Sequence, residues 1–96
     1  MLTQDVFKKK VFELADMVGV KPKEIHIRRM NRKLASCSSK GRLTFDVSLL
    51  DENKEVRYKI ILHELLHLRY RNHSKMFHLL LRAYLNKSLN ATETAE

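Results

Sequence analysis

One cysteine, one proline, two glycines and no tryptophan occur in these 96 residues. A lone cysteine, Cys37, excludes an internal disulfide framework and any zinc site that needs two thiolates from one chain. So few glycines and prolines argue against a linker or a disordered chain. Long apolar runs are missing too. Stretches such as Leu79–Leu81 fall far short of the ~20 apolar residues that span a bilayer. The N-terminal MLTQDVFKKKVF holds no apolar signal core, so the expectation is a cytoplasmic protein. Acids are scarce: 11 against 19 lysines and arginines, for a net charge of +8. What is present, 44% hydrophobic and 31% charged residues, suits one small globular domain. A core this small makes a bound metal matter to stability.

The positive charge is concentrated. Residues 21–42 carry Lys21, Lys23, Arg28, Arg29, Arg32, Lys33, Lys40 and Arg42 against one acid, Glu24, which makes that segment +7. Nucleic acid, an acidic peptide or an anionic membrane surface would each be attracted. The plainer alternative is the solvated face of a small sheet.

Residues 4–18 predict an amphipathic helix, with Phe7, Val11, Leu14 and Val18 at helical spacing. Thr3 suits its N-cap and Gly19 its C-terminal stop. Ile25 and Ile27 alternate with polar residues, which predicts a strand over 24–30. A turn at 30–32 leads to a second strand over 33–38, and Ser38-Ser39-Lys40-Gly41 suits a hairpin turn. A third strand over 42–47 places Leu43, Phe45 and Val47 on one face. Short turns between the three predict an antiparallel sheet. The period then changes. Ser48 or Asp51 can cap a helix over about 52–70, whose apolar residues surround most of the axis and make it the central buried helix. A further helix, capped by Ser74, covers about 74–88, with Phe77, Leu80, Leu81 and Tyr84 inward. The expectation is an α+β domain over 1–88 and a polar tail over 89–96.

His63-Glu64-Leu65-Leu66-His67 is an HExxH motif on the central helix. The i, i+4 spacing stacks both imidazoles on one face, within reach of a single metal ion. Glu64, about 100° around the axis, is adjacent to His63 and suits contact with a water on that metal. This is the donor set of a metallopeptidase, two histidine ligands and a glutamate base. A catalytic zinc takes a third protein ligand and keeps one position open. No Asp or Glu lies between Glu64 and Glu93, so a downstream helical glutamate is excluded. His73, six residues beyond His67, is the preferred third ligand, and His78 is the alternative. His26 reads as a surface residue and Cys37 as a core residue.

Two stretches resemble a known family. Ser36-Cys37-Ser38-Ser39-Lys40-Gly41 is similar to the SCSSKG signature of YgjP-like metallopeptidase domains. That family usually has Trp-Gly just before the signature, where this chain has Leu34-Ala35. His63–Leu68, followed by Asn72-His73-Ser74-Lys75 and Phe77, is similar to the family's HELxHLxxxNHSxxF. With its short length, the chain resembles the minigluzincins of the proabylysin and projannalysin type. The resemblance implies a zincin-like fold, one Zn2+ per chain held by His63, His67 and His73, and Glu64 as the base. It also implies that the C-terminal segment can block the cleft of a latent zymogen.

The function expected is therefore zinc-dependent hydrolysis of peptide bonds, with Glu64 assisting the attack of zinc-bound water. Substrate would extend along a sheet edge at residues 34–38. Tyr70 and Arg71 are candidates for oxyanion contact by proximity, and no specificity pocket can be named from the sequence. Glu93, Glu96 and the terminal carboxylate are acids that can enter the cleft in a latent form. Three readings compete. One is a metal-dependent RNA hydrolase, since some ribosomal-RNA maturation enzymes use three histidines at this spacing with glycine in place of Glu64. Another is a non-catalytic zinc-stabilised interaction module. The third is a protease associated with nucleic acid. The expected partners are a peptide or protein substrate, with no membrane span, and the chain is a monomer or a swapped dimer.

Overall fold

Helix α1, Gln4–Val18, starts where the Thr3 side chain accepts the Val6 amide at 3.1 Å. It stops at Gly19, whose φ of +87° is the left-handed conformation that closes helices and that a Cβ disfavours. Its stripe of Phe7, Val11, Leu14, Ala15 and Val18 is buried. The computed structural model describes residues 1–90.

Three strands follow: β1 (Glu24–Arg28), β2 (Ala35–Cys37) and β3 (Arg42–Asp46). Residues 38–41 fold β2 back on β3 as an antiparallel hairpin, as the turn chemistry predicts. β1 differs from expectation. It pairs with β3 in parallel, Glu24 opposite Arg42 and Arg28 opposite Asp46, and the strand order is β1-β3-β2. The sheet is mixed, which corrects the antiparallel expectation.

The reason lies in the connection over residues 29–34. It does not lay β2 against β1 but crosses the end of β3, leaving one strand's width between them. Crossing two inter-strand spacings, about 9–10 Å, is well within its reach. Asp46 fixes this crossing. Its carboxylate accepts the Met30 amide at 2.6 Å, and its own amide donates to the Leu34 carbonyl at 2.8 Å. The same carboxylate accepts the Ser48 amide at 2.9 Å. Hydrogen bonds from Ser48, then Met30, hold its pKa below the ordinary carboxylate range.

A 3-10 turn, Val47–Asp51, then replaces the end of the expected strand. Val47 is 37% exposed rather than inward, while Leu49 and Leu50 enter the core. Helix α2, Lys54–His67, begins at neither Ser48 nor Asp51 but at Asn53, whose side chain accepts the Val56 amide at 2.9 Å. Replacing Asn53 with alanine should cost about 1 kcal/mol. Thermal denaturation should show Tm lower by roughly 4–8 °C, with metal content unaltered because the cap lies nearly three turns from the histidines.

α2 is the central helix. Tyr58, Ile61, Leu62, Leu65 and Leu66 are fully buried against α1, β2 and helix α3, Lys75–Asn90. Ser74 caps α3 by accepting the Phe77 amide at 3.2 Å. Phe77 and Leu81 are buried, and Leu80 and Tyr84 pack partly against the core. α3 continues through Leu89 and Asn90, and Leu89 also packs on the core. Residues 91–96, which hold the acids of the expected inhibitory tail, lie outside the described residues. No described helix is long and apolar enough to cross a membrane.

Candidate metal centre

The last two turns of α2 point His63 and His67 out of the core on one face. Beyond His67 the helix ends in a tight turn, with the Arg69 and Tyr70 amides both donating to the Leu66 carbonyl. That turn folds the following loop back, so His73 returns over the end of the helix. One nitrogen from each of His63, His67 and His73 lies within 4.8 Å of the others. His67 Nε2 and His73 Nε2 are 2.9 Å apart, within hydrogen-bond distance. Nitrogens bound tetrahedrally to one zinc at 2.0–2.1 Å stand about 3.3 Å apart. Small side-chain movements would therefore fit the three imidazoles to such an ion, and a neutral nitrogen set suits it.

Surrounding groups orient these rings. His67 Nδ1 lies 3.2 Å from the Tyr70 carbonyl, so its proton is held there and Nε2 is left free to accept or ligate. Phe77 is fully buried, and its ring centroid lies 5.4, 4.9 and 4.9 Å from those of His63, His67 and His73. It forms an apolar floor beneath all three. Burial, then the neighbouring His67, His63 and His78, lowers the His73 pKa, against a weaker opposing pull from Glu64. The shift favours the neutral imidazole, the form that can ligate.

Glu64 is 8% exposed and opens toward the same space. Its Oε2 accepts a hydrogen bond from His63 Nδ1 at 3.0 Å. A buried carboxylate needs such a partner. A cleft of about 500 Å³ runs past it, lined by Ala35, Cys37, His63, Glu64, His67 and Arg71, with Lys33 and Ser36, Ser38 and Ser39 along its rim. β2 is an edge strand. Leu34 and Ser38 bond to β3, so by antiparallel alternation the backbone N–H and C=O of Ala35 and Cys37 face the open side.

The other sequence candidates fall outside the metal group. His78 is near His73, with ring centroids 6.1 Å apart, but contributes no nitrogen to the cluster. His26 is exposed and pairs with Glu24 at 3.2 Å. Cys37 packs on the core, and burial, then the charge of Glu64, pushes its thiol pKa up, so it stays protonated. Tyr70 packs partly on the core, whereas Arg71 lines the cleft.

Two features escaped the sequence. The Tyr70 carbonyl is backbone and leaves no residue-type signal. An apolar hollow of about 310 Å³, lined by Leu34, Ala35, Ile60 and Leu81 with Lys59, adjoins His63 and Glu64. It is assembled from three separate elements, which no local pattern reveals.

The fold is similar to that in the crystal structure of the metallopeptidase zymogen of Pyrococcus abyssi abylysin. The TM-score is 0.69 at 21% identity, covering 91% of this chain and 95% of that one. No curated protein sequence matches the chain. The model of the YgjP-like metallopeptidase domain matches residues 2–94, a span that contains the HExxH helix, the returning His73 and the edge strand beside them. The chain belongs to the YgjP-like metallopeptidase domain family.

Proposed function

We propose that this protein is a zinc-dependent endopeptidase, with His63, His67 and His73 as ligands of one Zn2+ and Glu64 as general base. The observation that carries the reading is the convergence of three imidazole nitrogens within 4.8 Å beside a buried glutamate. When bound, zinc polarises a carbonyl and brings the pKa of a water close to ~7.

The rest belongs to the chain's own residues. Ala35 and Cys37 offer backbone donors and acceptors that align an extended peptide along β2. The hollow formed by Leu34, Ile60 and Leu81 accepts an apolar side chain next to the scissile bond. Glu64 takes a proton from the attacking water and returns it to the leaving amine. The Phe77 floor keeps water away from one side of the ligands and strengthens electrostatic interactions there.

The test is elemental analysis joined to a peptidase assay on unstructured protein substrates. About one zinc per chain, with cleavage abolished by a chelator and restored by zinc, is the expected result. A full zinc site with no turnover, in the whole chain and in one ending at Asn90, would point instead to a structural metal.

Glu93 and Glu96 supply acids for an inhibitory tail, which extends the proposal to a latent enzyme. Because Leu89 packs on the core, truncation should follow Asn90. Removing residues 91–96 should raise the peptidase rate tenfold or more, since a tethered blocker acts at roughly millimolar effective concentration. An unchanged rate would exclude latency through this segment.

A further inference from the structure

The cleft does not end at the histidines. At Ser39 it meets a second depression of about 380 Å³. Ser39 lines both. Lys21, Lys23, Lys40 and Arg69 line this extension, and no acid does. Among the described residues none of these four cations pairs with a carboxylate, because Glu24, the nearby acid, is taken by Arg42 and His26.

The fold gathers these charges from three places. Parallel pairing of β1 with β3 divides the basic stretch of the sequence, sending Arg28 to one end of the sheet and Lys21 and Lys23 to the other. The hairpin turn brings Lys40 beside them, and the turn after α2 adds Arg69. Two of the four are held in place. Arg69 Nη1 donates to the Val18 carbonyl at 3.4 Å. Lys23 is placed by its backbone amide, which donates to the Gly41 carbonyl at 2.8 Å, and its stem lies beside Gly41, where a Cβ would meet its Cγ at 3.3 Å and φ is +90°. Arg71, in the cleft itself, continues the positive charge toward His67.

We propose that this cationic end of the cleft binds acidic side chains of the substrate. The preferred peptide then carries an apolar residue beside the scissile bond, in the Leu34–Leu81 hollow. Toward the hairpin end it carries Asp or Glu about two to four residues away, because Ala35 in the hollow and Ser39 in the depression stand four positions apart along the chain and a strand rises about 3.3 Å per residue. This specificity rests on the peptidase reading. A peptide is favoured over a polynucleotide because the unpaired cations continue the peptide edge of β2, while the flank beyond them is neutralised by the Arg42–Glu24 pair.

The experiment compares quenched-fluorescence peptides that share one apolar scissile region. They bear Asp/Glu, Asn/Gln or Lys two to four residues to either side. Acidic residues on one side should raise kcat/KM roughly three- to fivefold over the amides, the upper part of the range for one exposed charge pair. The gain should fade as salt is raised to about 0.5 M. The double variant Lys21→Glu/Lys40→Glu should lose the preference while cleaving the neutral peptide at the normal rate. Equal cleavage of acidic and amide peptides, or a preference that survives charge reversal, overturns the proposal and leaves the peptidase function standing.

If no peptide is hydrolysed by the full chain or by one ending at Asn90, the peptidase reading fails, and binding decides the cationic site separately. Anisotropy on the Glu64→Gln protein, in the full chain and in one ending at Asn90, should show the acidic peptide bound at least threefold tighter than the amide peptide. A single-stranded oligonucleotide of equal charge that binds tenfold tighter than the acidic peptide would reassign the surface to nucleic acid.

Discussion

Replacing Glu64 with glutamine is expected to lower peptide hydrolysis by roughly 10²–10⁴-fold, while zinc stays near one per chain. Glutamine has the same length and can still accept the hydrogen bond from His63 Nδ1, now 3.0 Å from the carboxylate. It cannot take a proton from water at neutral pH. The substitution therefore separates proton transfer from metal binding. Fold stability should be unchanged or slightly higher, because a neutral amide is less costly to bury than a carboxylate at 8% exposure. Parallel measurements of kcat/KM, zinc content and Tm check all three expectations. Retained activity would remove Glu64 from its role as base. Lost zinc would mean that the carboxylate supports the ligands rather than the chemistry.

The candidate site was legible in the sequence because its information is local. His63 and His67 are one helical turn apart, and the spacing that makes them neighbours also makes them visible. Glu64 is fixed by the same turn. His73 needed more, since a loop conformation decides where it points. What limited the choice was the scarcity of acids after Glu64, which left histidines as downstream donors. The helices were similarly readable, with caps at Thr3 and Ser74 and a burial pattern set by apolar spacing.

Strand pairing was not legible to the same degree. Alternation at Ile25, Ile27, Leu43 and Phe45 reports which side chains face inward but not which strand lies next to which. Pairing was decided by Asp46, whose carboxylate and amide tie down Met30 and Leu34 across the end of β3. A single aspartate at a strand end looks like any turn residue. The consequence reaches function. With β3 in the middle, β2 becomes the free edge beside Glu64. An all-antiparallel meander in chain order would have placed β2 in the centre and closed that edge.

The second large effect is expected for His73→Ala. Removing an outer-shell group from a metal site typically costs 10–100-fold in affinity, so removing one of three ligands should cost roughly a hundredfold or more. Zinc titration against a competing chelator would measure it. Stability should follow the metal. A ligand held at about a hundred times its Kd contributes about 2.7 kcal/mol, and a domain of this size responds with roughly 4–8 °C in Tm per kcal/mol. In saturating zinc, wild type should therefore melt on the order of 10 °C higher than the variant, and chelation should bring the two curves together. The loop itself should survive, because Ser74 and the Leu66 carbonyl bonds that shape it remain.

Acid should act in the same direction as the substitution. Protons compete with the metal for imidazole nitrogen, so zinc should be released as the pH falls through the histidine range. The His73 pKa is lowered in the folded protein, so the unfolded chain takes up its proton first. The stability this residue contributes is present above the ordinary imidazole value and lost below it. For wild type, both zinc content and Tm should decline together on acidification, whereas the His73→Ala protein, already short of metal, should show a shallower dependence over the same range. Equal slopes would show that His73 neither binds zinc nor titrates with folding, and the third ligand would then have to come from outside the 63–73 segment.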